Sequence, residues 1–190
     1  MRVSREQAAE SRERILAAAS RLFREHGYGG IGVADLMKSA GLTHGGFYAH
    51  FSSKDELMAE ATARALAGPA ERWNRLADEE GAKALQTIAA YYLSPEHRRR
   101  PGSGCAVPSL AAEAAREGTA VRGAFTRGMS ALVDALARIL PGRTRAARRK
   151  AALASFAAMA GAVMLARAVD DDALAEEILD AVKDAVTRSA

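Results

Sequence analysis

Apolar residues recur at three- and four-residue spacing along nearly the whole chain, and the strict alternation that marks strands is almost absent. The first periodic stretch puts Ile15, Leu16, Ala19, Leu22 and Phe23 on one stripe. Ser4 with Gln7 reads as a capping box upstream of it, and Gly27 fits a left-handed stop. A short helix over 33–40 turns Val33, Leu36, Met37 and Ala40 inward. The 41–43 stretch makes a turn, and Thr43 opens another short helix as its N-cap. Ser53 and Glu56 then form a capping box for a longer helix carrying Leu57, Met58, Ala61 and Ala65, which Gly68 and Pro69 are expected to break or kink. Further helices are predicted near 81–93, 106–116, 119–140, 144–169 and 172–188, with a loop over 94–104. The fold class is all-α, with about nine helices.

Composition narrows this picture. A chain of 190 residues holds one large domain, or a small module fused to a larger one. With 49% hydrophobic and 26% charged residues it has the balance of a folded globular protein. No apolar run reaches the ~20 residues that cross a bilayer. The nearest, 151–166, is Ala-rich and flanked by RRK and Arg167. The first residues lack the apolar centre of a signal peptide, and a single cysteine excludes an internal disulfide. These features together point to a cytoplasmic protein with no membrane partner. The net charge of +4 points to an acidic partner without locating it. The first 60 residues carry eight basic and eight acidic side chains, and the surplus concentrates in HRRR (97–100) and RTRAARRK (143–150).

The segment THGGFYAHF (43–51) changes the picture most. A short helix, a tight glycine-containing turn and a second short helix, braced by a long helix before them, make a helix-turn-helix, whose second helix enters the DNA major groove. Glycine inside a helix costs roughly 1 kcal/mol against alanine, so two in the first turn need a reason. A bare backbone at Gly45 and Gly46 lets that turn sit deep in a groove. Tyr48, His50 and Lys54 lie just behind, placed to donate to phosphates, which fix register without reading sequence. Phe47 and Phe51, four residues apart, continue the apolar face and belong to the core. His44 and His50 do not form a metal pair, because six residues of helix turn through about 600° and leave the rings on different faces. No metal and no cofactor are expected. His26 and His97 sit near charged loop ends and read as solvated.

AGLTHGGFYAHFSSKDELM (40–58) closely resembles the signature of the tetracycline-repressor (TetR) family of bacterial transcription regulators. The resemblance extends upstream through 15–41 and covers roughly the first 60 residues. It implies a helix-turn-helix DNA-binding domain over 1–53, then a helical ligand-binding and dimerisation domain over 54–190 whose stretch 54–67 is the connecting helix. It implies a homodimer that binds a double-stranded, pseudo-palindromic operator and is released by a small-molecule effector. It carries base contact onto Thr43, His44, Gly45 and Gly46, and phosphate contact onto Tyr48, His50 and Lys54. Gly32 departs from the pattern, since family members often have Ser or Thr there, and no role is carried onto it.

The larger part of the chain is less specific. Ala154, Ala158 and Ala162 permit close helix packing, and the resemblance suggests that this helix and the last one, with Leu174, Ile178 and Val182, pair across a two-fold axis. Trp73, Tyr91, Tyr92, Phe125, Met129, Phe156 and Met159 are candidates to line a pocket for an apolar or aromatic effector. Cys105 follows a basic, glycine-rich loop near a helix start, where the helix N-terminus and Arg98, Arg99 and Arg100 would favour a thiolate. Two alternatives to a simple ligand-responsive repressor therefore rest on it. One is a thiol-based sensor of oxidants or electrophiles. The other is an all-α enzyme in which His97 serves Cys105 as a base.

Overall fold

The computed structural model describes residues 5–188, and every regular element among them is helical. Helix α1 (Arg5–His26) buries the predicted stripe, including Ile15, Ala19 and Phe23. It stops at Gly27, whose φ of 78° lies in the left-handed region and whose N–H reaches the Phe23 carbonyl at 2.8 Å. The Ser4 capping box falls outside the described residues. Helix α2 (Val33–Ser39) begins at Gly32 without a side-chain cap, and Gly41, with φ 70°, turns the chain toward a 3-10 segment, His44–Ala49.

Helix α3 (Lys54–Glu80) starts as expected, with the Ser53 hydroxyl accepting from the Glu56 N–H at 3.1 Å. The Glu56 carboxylate returns to Ser52 instead of Ser53. Of the break or kink expected at Gly68 and Pro69, the break does not occur: the helix is continuous through them and is 27 residues long. Proline removes one ladder hydrogen bond. The buried stripe continues on both sides of it through Ala65, Leu66, Ala70 and Trp73, and its packing holds the helix together.

Helices α4 (Ala84–Tyr92), α5 (Pro95–Arg99), α6 (Val107–Ala114), α7 (Thr119–Ile139), α8 (Arg145–Ala168) and α9 (Asp172–Arg188) complete the described residues. Long α3 lies along α7, and α8 packs between α7 and α9. Gly128 of α7 meets Leu66 of α3 so closely that a Cβ would come within 2.5 Å of it. The 94–104 stretch, read as a loop, is ordered instead. Ser94 caps α5 by accepting the His97 N–H, and Pro101–Ser103 forms a 3-10 turn against α1. His97, read as solvated, is 2% exposed. Its arginine neighbours face away from it: Arg98 donates to the Ala166 carbonyl and to Asp172, while Arg100 pairs with Glu96.

Helix α8 qualifies by length and composition as a possible membrane span. Its stripe of Ala152, Phe156, Met159, Ala162, Val163 and Ala166 is nevertheless buried in the domain, as a core helix requires.

Candidate functional site

Two sites emerge, one at each end of the first half of α3. The first is the turn His44–Ala49. Phe47 and Phe51 anchor it, 1% and 2% exposed, their rings stacked at 5.8 Å. With those rings buried, Tyr48 projects outward at 74% exposure, edge-on to Phe47. Thr43, His44 and Gly45 are exposed beside it, and His50 is half-buried at the turn's end. The Thr43 hydroxyl caps nothing in the chain. A Cβ built on Gly45 would meet no atom within 4 Å, and one on Gly46 would make ordinary contacts with Met37 and Thr43. Neither glycine has positive φ. Nothing among the described residues therefore requires glycine at 45.

Lys54 has a role that the sequence did not disclose. Its ammonium donates to the carbonyls of Tyr28 at 2.6 Å and Ile31 at 2.9 Å, tying the start of α3 to the α1–α2 connection. One of its three N–H groups is left over. The same connection is braced by Tyr28, whose hydroxyl lies 2.6 Å from that of Thr62. Burial pushes the Tyr28 phenol up to about 12, so it stays protonated. Arg12 stacks over Phe51 at 4.6 Å and pairs with Glu60, adding a third strut between α1 and α3.

The second site is a cavity of about 210 Å³ among α3, α4, α5 and the 103–105 stretch. Of the seven pocket candidates, Trp73, Tyr91 and Tyr92 line it. Phe156 stands behind them, packed on Trp73 and Tyr92 at 5.7 and 6.1 Å. Met159 is fully buried in α8, Met129 is half-buried on α7, and Phe125 lines a separate groove with Arg122. The structure does not bring these three to the cavity. Sequence reasoning missed Gly68, Pro69, Arg72 and His97, which do line it. The only local hint was the Gly-Pro pair inside an amphipathic stretch.

His97 organises the inner wall. Its Nε2 accepts the Cys105 backbone N–H at 2.9 Å, so its Nδ1–H donates to the Tyr92 carbonyl at 2.6 Å. Burial holds its pKa below the usual histidine value and keeps it neutral. Both ring nitrogens are spent on backbone groups, which leaves no base for the thiol. The Tyr92 hydroxyl is buried without a hydrogen-bond partner of good geometry, close to the Cys105 sulfur.

Cys105 itself is 4% exposed. Burial pushes its thiol above the ordinary value, outweighing the Tyr92 hydroxyl, the Val107 N–H at the start of α6, and the charges of Arg24 and Arg167. The expected help from Arg98, Arg99 and Arg100 is not what the fold supplies. Alkylation by iodoacetamide should therefore be slower than for a free thiol, with its pH midpoint displaced upward. A rate-against-pH profile checks this, and fast reaction at neutral pH would contradict the burial argument.

The wall also touches the DNA-binding end. Arg24 of α1 donates to the Gly104 carbonyl at 2.7 Å, and the Glu113 carboxylate of α6 accepts the Tyr28 N–H at 2.7 Å.

Residues 15–61 match the sequence model of a family described as bacterial regulatory proteins, tetR family. The HTH-type transcriptional repressor NemR of Escherichia coli K12 is 28% identical over 134 residues, 69% of this chain and 67% of NemR. The regulator LmrA of Bacillus subtilis is 45% identical over 53 residues, 27% and 28% of the two chains. Among solved structures, a reduced form of E. coli NemR superimposes with a TM-score of 0.77 at 24% identity, covering 94% of this chain and 95% of that one. A TetR transcriptional regulator from Legionella pneumophila gives 0.79 at 18% identity, covering 99% and 98%.

Proposed function

We infer that this chain, a ligand-responsive DNA-binding regulator of the tetR family and not an enzyme, is a cytoplasmic repressor that grips a pseudo-palindromic operator as a homodimer. The observation that carries the DNA reading is the turn His44–Ala49, exposed and backed by the buried Phe47 and Phe51, with a glycine at 45 that no contact among the described residues requires. Thr43, His44, Gly45 and Gly46 meet base edges. Tyr48, His50 and the remaining donor of Lys54 meet phosphates.

The dimer forms through α8 and α9. At 100° per residue, Leu153, Met164, Ala157, Ala168, Gly161, Ala154, Leu165 and Ala158 fall in that order across an arc of ~140° on α8. None of these eight is buried and none carries a charge, Lys150 being the charged residue that shares the arc at the N-terminal end of α8, and Leu174 of α9 is likewise exposed. Ala154 and Ala158 thus belong to the face proposed from the sequence, whereas Ala162 is turned into the core at 3% exposure. Ile178 and Val182 are half-buried at its edge. An apolar face of this size suits burial against a second copy.

The effector occupies the cavity beside Trp73 and releases DNA by favouring the conformation that binds DNA less well. Its wall residues 103–105 sit against α1 through the Arg24 bond, which supports a mechanical connection to the helix-turn-helix.

Thiol sensing at Cys105 remains a second reading, because the sulfur stands in the cavity wall. Comparing operator binding of Cys105→Ser and the parent, with and without peroxide, separates the two. Equal responses leave Cys105 a wall residue.

Selection of genomic fragments by the purified protein tests the central reading. Tyr48→Ala should weaken binding to every fragment by about 1–2 kcal/mol, while changes at Thr43 or His44 should alter which sequence is preferred. Equal binding to genomic and random DNA at physiological salt would sink it.

A further inference from the structure

We propose that the cavity takes a small, single-ring aromatic molecule bearing one carboxylate, its ring among Trp73, Tyr91 and Tyr92 and its carboxylate at Arg72. This rests on the reading of that cavity as the effector site and names the effector's chemical class.

Size sets the first limit. A volume of about 210 Å³ equals roughly seven waters at ~30 Å³ each, which is room for one ring and a short substituent. Shape sets the second, because the wall is built of flat rings. Trp73 stands edge-on to Tyr92 at 5.8 Å, and Tyr91 stacks on His97 at 5.8 Å. Such walls favour a planar guest.

Charge sets the third. Arg72 is the sole charged side chain in the lining, no Asp or Glu joins it, and His97 is neutral. The Arg72 guanidinium lies over the Tyr91 ring at 4.4 Å, and among the described residues no carboxylate pairs with it. Other arginines of the chain do have such partners: Arg12 has Glu60, Arg98 has Asp172, and Arg149 has Asp134. A guanidinium that sits over a ring and meets no carboxylate has N–H groups left for the two oxygens of a ligand's carboxylate. Arg24 and Arg167, fixed behind Cys105 by backbone carbonyls, add to the positive field. An amine or a metal ion would meet only like charge here.

Trp73 is the chain's single tryptophan, so its emission reports occupancy of the cavity without reference to DNA. The intact protein is titrated with benzoate, salicylate and phenylacetate, and with the amide of each, and operator binding is followed in parallel. At least one carboxylate should change Trp73 emission saturably and bind at least tenfold tighter than its amide. Arg72→Gln should erase that preference. Gly68→Phe should abolish the signal, since a Cβ at 68 meets no atom and the added ring can cover the mouth without disturbing the fold. Amides that bind as well as the acids, or a preference that survives Arg72→Gln, would overturn the anionic class while leaving the cavity as effector site. No saturable signal from any acid at millimolar concentration would overturn the proposal outright. Carboxylates that bind but leave operator affinity unchanged would instead remove the effector reading on which it rests.

Discussion

Gly45→Leu should fold normally and lose the operator. A side chain at this position starts into open space and from an unstrained backbone, so the thermal midpoint should move by only a few degrees. Replacing glycine within a helical turn also recovers some of its propensity cost. The leucine would project from the face that carries Thr43, His44 and Tyr48, the surface proposed to enter the groove. Holding that turn a side chain's width from the base edges should cost at least ~100-fold in affinity, about 2.7 kcal/mol. Circular dichroism melts and fluorescence anisotropy on the selected operator measure the two halves separately. A variant that melts and binds like the parent would show that nothing approaches residue 45.

The second large effect concerns the exposed face of α8. Leu153→Arg combined with Leu165→Arg puts two charges among the uncharged residues of that arc, at positions 44% and 54% exposed. Neither change touches the buried stripe of the same helix, so the monomer should keep its helical content. Sedimentation should show a dimer for the parent and a monomer for the variant at micromolar concentration. Operator affinity should fall at least ~100-fold, because two half-sites are then no longer held by one particle. A variant that still sediments as a dimer would place the interface elsewhere, and a parent that sediments as a monomer would remove the proposed two-fold assembly.

The parts of this molecule that the sequence disclosed are those set by local rules. Periodicity disclosed the longer helices, glycine the stop at 27, and the spacing of Phe47 and Phe51 separated core from surface in the turn. The errors came where distant parts of the chain decide. Pro69 was read as a break or a kink because its local cost is visible and the packing of Leu66 against Gly128 is not. His97 looked solvated because three arginines follow it, yet the end of α8 and Asp172 draw Arg98 away. Lys54 read as a plain cation because its carbonyl partners, Tyr28 and Ile31, lie more than twenty residues upstream. The cavity shows the same division. Three of its aromatic rings were among the candidates, but Arg72 and Trp73 stand in it on the same helix as Gly68 only because α3 continues past the proline.

That continuity makes α3 a lever. Pro69, at the cavity, is 15 residues from Lys54, an arm of about 22 Å at 1.5 Å per residue. The proline removes one ladder hydrogen bond at that point. A tilt of roughly 5° there carries the Lys54 end sideways by about 2 Å. In a two-fold assembly both arms swing, and the spacing between the reading turns changes by up to about 4 Å, more than the ~3.4 Å separating one base pair from the next. A guest that tipped α3 by those few degrees would put a two-fold assembly out of step with its site by about one base pair.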